Sequence, residues 1–217
     1  MHEGIENILS AERFATYLAW AEGDRGRAIE LYTLNTQLSE GLYKPLQMLE
    51  VALRNRVHDV MTEAFGATWF DLPGHQINEW QADMLDKARK DLADANKVET
   101  SSALVAALTF GYWTAMLGAE YEDLWQKALH KIAKSENGKG LRRKDLTKPL
   151  GPIRTLRNRI AHHEPILYWN LPKHHDAIIQ LTGWLSPVAA EWCSSVDRFD
   201  SLYPQGGLLL PRPTTDE

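Results

Sequence analysis

The run from Leu42 to about Phe65 constrains the fold more than any other stretch of the chain. Leu46, Leu49, Leu53, Val57 and Val60 recur at three- and four-residue spacing, the pattern of one buried helix face. Pro45 falls in the first turn of a helix that starts at Leu42, where a missing N–H is tolerated. Glu50, Arg54 and His58 form a second, polar row at i, i+4 and i+8, with Asn55 beside it. Read alone, that row is a solvated Glu–Arg pair worth ~0.3–0.5 kcal/mol.

The flanking segments repeat the helical pattern. Residues 1–23 carry Ile5, Ile8, Leu9, Phe14, Tyr17 and Leu18 at helical spacing, with Ser10 a weak internal start signal. Gly23 and Asp24 predict a turn, Asp24 capping a helix that ends around Gly41. Trp69 and Phe70, in the loop after Gly66, are expected to tuck onto the core. Residues 76–97 predict a charged outer helix with Trp80, Met84, Leu85 and Leu92 inward. Ser101–Leu117 predicts an uncharged buried helix, Tyr121–Ala133 an amphipathic one, and Lys134–Lys148 a mobile basic linker. Pro149 is expected to open the helix that ends near Pro165, and a last helix spans about Lys173–Val196 with a kink at Pro187. There is no period-2 stretch of useful length and no internal repeat. The chain reads as all-α, a single helical bundle over 1–199 with an irregular, partly disordered tail over 200–217.

At 217 residues the chain can bury a core without disulfides or metal. The single cysteine, Cys193, allows no internal disulfide, and the acidic start Met-His-Glu-Gly-Ile-Glu is unlike a signal peptide, so the expected location is cytoplasmic. Thr100–Ala119 carries no charge, but its polar residues and acidic flanks suit a buried helix better than a membrane span. Net charge is −5, which alone argues against nucleic acid. The distribution points the other way: Lys131–Arg159 holds ten Lys/Arg against two Asp/Glu, and the remainder 14 against 27. A local field of that sign concentrates a polyanion, which makes Arg142, Arg143 and Lys144 candidate RNA-backbone contacts.

Chemistry concentrates in Arg154-Thr-Leu-Arg-Asn-Arg-Ile-Ala-His-His-Glu-Pro165. Arg154, Asn158 and His162 are four apart and share a helix face, Arg157 reaches the same groove, and Leu156 and Ile160 anchor the other side. Proline then ends the helix at or before Glu164. A cation, an amide and an imidazole at one helix end suit a phosphodiester. The adjacent histidine pairs come without HExxH, a carboxylate cluster or a cysteine set, so no metal and no other cofactor is expected. Cys193 beside Trp192 reads as buried, and no glycine fingerprint for phosphates occurs.

Three pieces of sequence together resemble the Abi-like (abortive infection) branch of the HEPN superfamily. They are Leu49-Glu50-Val-Ala-Leu53-Arg54-Asn55, Phe110-Gly111-Tyr112-Trp113, and Leu156-Arg157-Asn158-Arg-Ile-Ala-His162-His163-Glu164. The last carries the form arginine, asparagine, three residues, histidine. The resemblance implies a HEPN-like helical, metal-independent endoribonuclease of an antiphage or toxin-type system, with a composite active site across a homodimer. By that resemblance Arg157 grips the scissile phosphate, His162 is general acid or base, and Asn158 orients one or the other. Glu50, Arg54 and Asn55 line the same cleft, with His163 and Arg154 in support. The product would carry a 2′,3′-cyclic phosphate, and an antitoxin, protein or RNA, is a further possible partner. Two other readings stay open: a non-catalytic RNA-binding or regulatory member, and a purely helical interaction module, in which Arg157 and His162 merely answer the helix dipole.

Overall fold

The computed structural model describes residues 8–72 and 78–210. The helices are α1 (Ala11–Trp20), α2 (Arg25–Phe65), α3 (Glu79–Asp94), α4 (Ser101–Ala107), α5 (Phe110–Ala115), α6 (Glu122–Lys127), α7 (Arg143–Ala161), α8 (Leu171–Leu185), α9 (Pro187–Val196) and the short α10 (Phe199–Leu202). Among the described residues no strand forms; Lys134 and Gly140 make an isolated bridge. The all-α expectation holds.

The spine is α2, 41 residues long. Its stripe Leu46, Leu49, Leu53, Val57 and Val60 is buried throughout. Each such side chain contributes roughly 1.5–3 kcal/mol on leaving water. Along the length of α2 lie α1, α5, α8, α9 and α10. Asp24 caps the helix by accepting from the Arg27 N–H at 3.0 Å, and Gly66 ends it at φ +90°. Trp69 and Phe70 then fold back into the core, at 1% and 3% exposure.

The expected break at Gly41 does not occur; α2 runs straight through Gly41 and Pro45. Gly41 serves an approach instead of a turn. A Cβ there would sit 3.0 Å from Leu202 Cδ1 and 3.6 Å from Phe199 Cα, so α10 docks where the helix has no side chain. That contact comes from the far end of the chain, which local sequence cannot report.

Other boundaries move for local reasons. Ser10 does cap α1, accepting from the Arg13 N–H, while residues 1–7, the start of the helix expected there, lie outside the described residues. The uncharged stretch splits at extended Leu108, with Thr109 capping α5. The helix expected over Tyr121–Ala133 is the short α6 between two 3-10 turns. Trp80 is exposed, its ring edge 3.7 Å from where a Cβ on Gly111 would lie. Pro187 marks a division rather than a kink: Ser186 is extended and caps α9.

The expected basic linker is a tight turn followed by helix. Ser135 accepts from the Gly138 N–H, Lys134 donates to the Trp184 carbonyl, and α7 begins at Arg143, six residues before Pro149. Asp145 supplies the start signal by accepting from the Arg142 backbone N–H at 3.0 Å. Pro149 and Pro152 each cost α7 one backbone hydrogen bond. The helix persists because Leu146, Leu150, Ile153 and Leu156 are buried along one face. The tail expected to be irregular from Asp200 begins inside α10; residues 203–210 are irregular, and 211–217 lie outside the described residues.

Candidate active site

The C-terminal end of α7 is over-determined. His162 is its cap residue, and His163 follows in the left-handed region at φ +56°. The Glu164 N–H reaches the Arg159 carbonyl at 2.8 Å and the His163 N–H reaches Ile160 at 3.1 Å, the paired bonds of a Schellman ending. Pro165 lies beyond it. Asn35 on α2, only 4% exposed, accepts from the Ile166 N–H at 2.8 Å and pins the exit. Arg159 donates to the Pro165 carbonyl, pairs with Glu164 and lies over the Tyr168 ring at 5.3 Å. One of the motif's arginines is therefore a staple for its own loop.

A cleft of about 300 Å³ separates α2 from this helix end. Tyr43, Leu46, Gln47, Glu50, Val51 and Arg54 form one wall, and Arg157, Ile160 and Ala161 the other. Arg157 Nη2 donates to Glu50 Oε2 at 3.4 Å, across side chains 37% and 20% exposed. Arg54 is half-buried, its Nε sealed from solvent without a hydrogen-bond partner among the described residues. No carboxylate of the described residues lies within ion-pair distance of it. The cleft therefore holds two guanidinium groups and one carboxylate. An under-compensated half-buried cation is costly, and an anion entering the cleft would relieve it.

The structure brings Glu50, Arg54 and Arg157 together. It leaves His162, Asn158, Arg154 and Asn55 exposed and off the cleft wall. The His162 imidazole makes no hydrogen bond among the described residues; its carbonyl accepts from Arg13 Nη2 at 3.4 Å. His163 faces a different cavity, with Arg13, Tyr32 and Thr36. Tyr43 and Gln47 were missed from sequence, although with Glu50 and Arg54 they recur at i, i+4, i+7 and i+11. His58, third in the polar row, is structural: its Nδ1 accepts from Trp69 Nε1 at 3.1 Å, it stacks on Phe70, and burial lowers its pKa.

The basic patch is partly committed internally. Arg143, 16% exposed, donates to Glu122 Oε2 at 2.8 Å and to the Leu117 carbonyl at 3.0 Å. Gln126 first and Arg143 second hold the Glu122 carboxyl below the usual range. Arg142 makes a two-pronged pair with Asp145, while Lys144 is exposed. Burial pushes the Cys193 thiol up to about 11, which suits an inert core residue. Among the described residues no group of three or more His, Cys, Asp or Glu is placed to hold a metal, and no helix is long and apolar enough to cross a membrane.

Fold and cleft together define an all-α protein with an arginine-lined groove between its longest helix and the end of the helix carrying the Arg157–His162 motif. A family model described as Abi-like protein matches residues 23–170 of the 217, and the chain belongs to that family. No curated protein and no solved structure matches it.

Proposed function

We propose that this Abi-like protein is a metal-independent endoribonuclease of the HEPN type, acting in an abortive-infection or toxin-type system in the cytoplasm. The observation that carries the reading is the half-buried, counter-ion-poor Arg54 beside Arg157 in an open cleft. A bridging phosphate supplies the missing negative charge, and two planar donor forks match its oxygens.

In this reading Arg157 and Arg54 hold the scissile phosphate and take up the charge that gathers on it in the transition state. The 2′-hydroxyl loses its proton, its oxygen attacks phosphorus, and the 5′-oxygen leaves with a proton. The products are a 2′,3′-cyclic phosphate and a 5′-hydroxyl. Histidine is the side chain type able to accept and return protons near neutrality, which gives that work to His162. His162 lies one residue beyond the cleft wall and is exposed, so the site is completed when two chains meet with each His162 facing the other chain's cleft. Asn158, on the same exposed surface, orients the phosphate or the imidazole.

The test is incubation with total RNA in EDTA, with mapping of fragment ends, beside His162→Ala. Cyclic-phosphate ends from the unsubstituted protein alone, with both proteins binding RNA and melting alike, support the proposal. Intact RNA in both, with binding retained, replaces it by a non-catalytic RNA-binding member, the reading that His162's place off the cleft wall favours.

A further inference from the structure

A second cavity of about 300 Å³ opens at the α7 end, sharing Ile160 with the cleft and lined by α2 residues nearer that helix's N-terminus. Arg13, Tyr32, Asn35, Thr36, Ser39 and His163 line the rest of it, and no Asp or Glu does. Arg13 comes from α1, outside the family-matched span of residues 23–170. It uses one N–H on the His162 carbonyl, leaving four of its five donors, and no carboxylate of the described residues pairs with it. The hydroxyls differ in character. Those of Thr36 and Ser39 donate to the Tyr32 and Asn35 carbonyls at 3.1 and 2.7 Å, so their lone pairs remain as acceptors at the wall. Behind Tyr32, Tyr17 is fully buried, its hydroxyl without a partner among the described residues and its ring edge-on to Tyr32 at 5.4 Å.

We propose that this cavity is a ribonucleotide subsite for the residue next to the scissile bond: Arg13 and His163 take its phosphate, and the Thr36 and Ser39 oxygens accept from its 2′-hydroxyl. The inference rests on the ribonuclease reading for its placement beside His162. A guanidinium with an imidazole at one end and hydroxyl acceptors at the other match the two ends of a ribose phosphate. Deoxyribose has no 2′-hydroxyl to donate to these acceptors, so the subsite tells RNA from DNA. The α1 arginine reaches the motif helix at the His162 carbonyl, which sets the subsite beside that residue.

The test is fluorescence anisotropy of a labelled single-stranded RNA and its DNA counterpart across a salt series, in the full chain carrying His162→Ala so that the RNA stays intact. Arg13→Ala is expected to weaken RNA binding about tenfold and to lower the salt slope by about 0.7, one phosphate contact. Arg13→Lys should keep the slope. Ser39→Ala with Thr36→Val should narrow the RNA-over-DNA preference. A lower melting temperature with unchanged affinity and slope would make Arg13 only a tie for the helix end and overturn the subsite. The two proposals fail separately. RNA that binds with an Arg13-dependent slope but is never cut by the unsubstituted chain sinks the nuclease alone. Normal cleavage with no Arg13 dependence sinks the subsite alone, and no binding at all ends both.

Discussion

Arg157 and Glu50 are 107 residues apart in sequence, and their side chains meet at 3.4 Å across the cleft between α7 and α2. The carboxylate occupies a position that a phosphate oxygen would contest. Glu50→Gln keeps the shape and removes the charge, so RNA should bind severalfold tighter. Cleavage of the bound RNA should slow, because Arg157 loses the group that orients it. Single-turnover kinetics beside equilibrium binding separate the two effects; slower cleavage with unchanged affinity would mean that Glu50 does not compete for the anion.

Arg54 should show stability traded for function. Arg54 is half-buried and pairs with no carboxylate of the described residues, so Arg54→Met replaces an under-compensated charge with apolar volume. Folding stability is expected to hold or rise by about 1 kcal/mol, while RNA affinity falls. Urea titration and anisotropy on the same samples check both; a marked loss of stability would show that Arg54 holds the helices together.

His163 adopts a left-handed backbone that glycine enters at no steric cost. His163→Gly should stabilise the chain by about 1 kcal/mol, and a β-branched residue there should destabilise it. Denaturant midpoints decide this. Binding of RNA should weaken in the glycine variant through loss of the imidazole from the Arg13 cavity.

Acid should weaken the fold through His58. Burial lowers its folded pKa below the ordinary 6.5, and its Nδ1 accepts from Trp69 while the ring is neutral. The unfolded chain thus takes the proton at higher pH than the folded one. The stability this group contributes is complete above about pH 6.5 and is lost as pH falls from there through the lower folded value. Melting temperatures should drop from pH 7.5 to 5, and the drop should shrink in His58→Gln.

A shared site predicts rescue between two dead variants. In mixtures of His162→Ala and Arg157→Ala, half the dimers are mixed and one of their two sites is intact, giving about a quarter of full activity. No recovery after subunit exchange would put both groups to work within one chain.

Much of this architecture was legible because it is local. The α2 stripe, the Asp24 cap, the halt at Gly66 and the end of α7 before Pro165 all follow from spacing and backbone chemistry. What escaped is tertiary or depends on weak start signals. Gly41 looks like a terminator until α10 arrives from 158 residues further along the chain to fill its missing Cβ. Pro149 looks like a first-turn proline until Asp145 caps a helix that begins earlier. At the site, Arg157 with Glu50 and Arg54 came from the family resemblance, whereas Tyr43, Gln47 and Arg13 carry no motif. Arg143 read as a surface cation because its partners, Glu122 and the Leu117 carbonyl, lie 21 and 26 residues before it.

The docking of α10 into Gly41 bears on how the domain can be cut. Phe14 and Tyr17 on one side and Phe199 on the other are buried in the common core, and α8, which lies along α2, begins only at Leu171. A fragment trimmed to residues 23–170 would strip the spine of four of its neighbours, α1, α8, α9 and α10, and expose it to water. The span that the family model matches is thus smaller than the set of helices that packs as one core, and any shortened version for laboratory use has to keep both flanks.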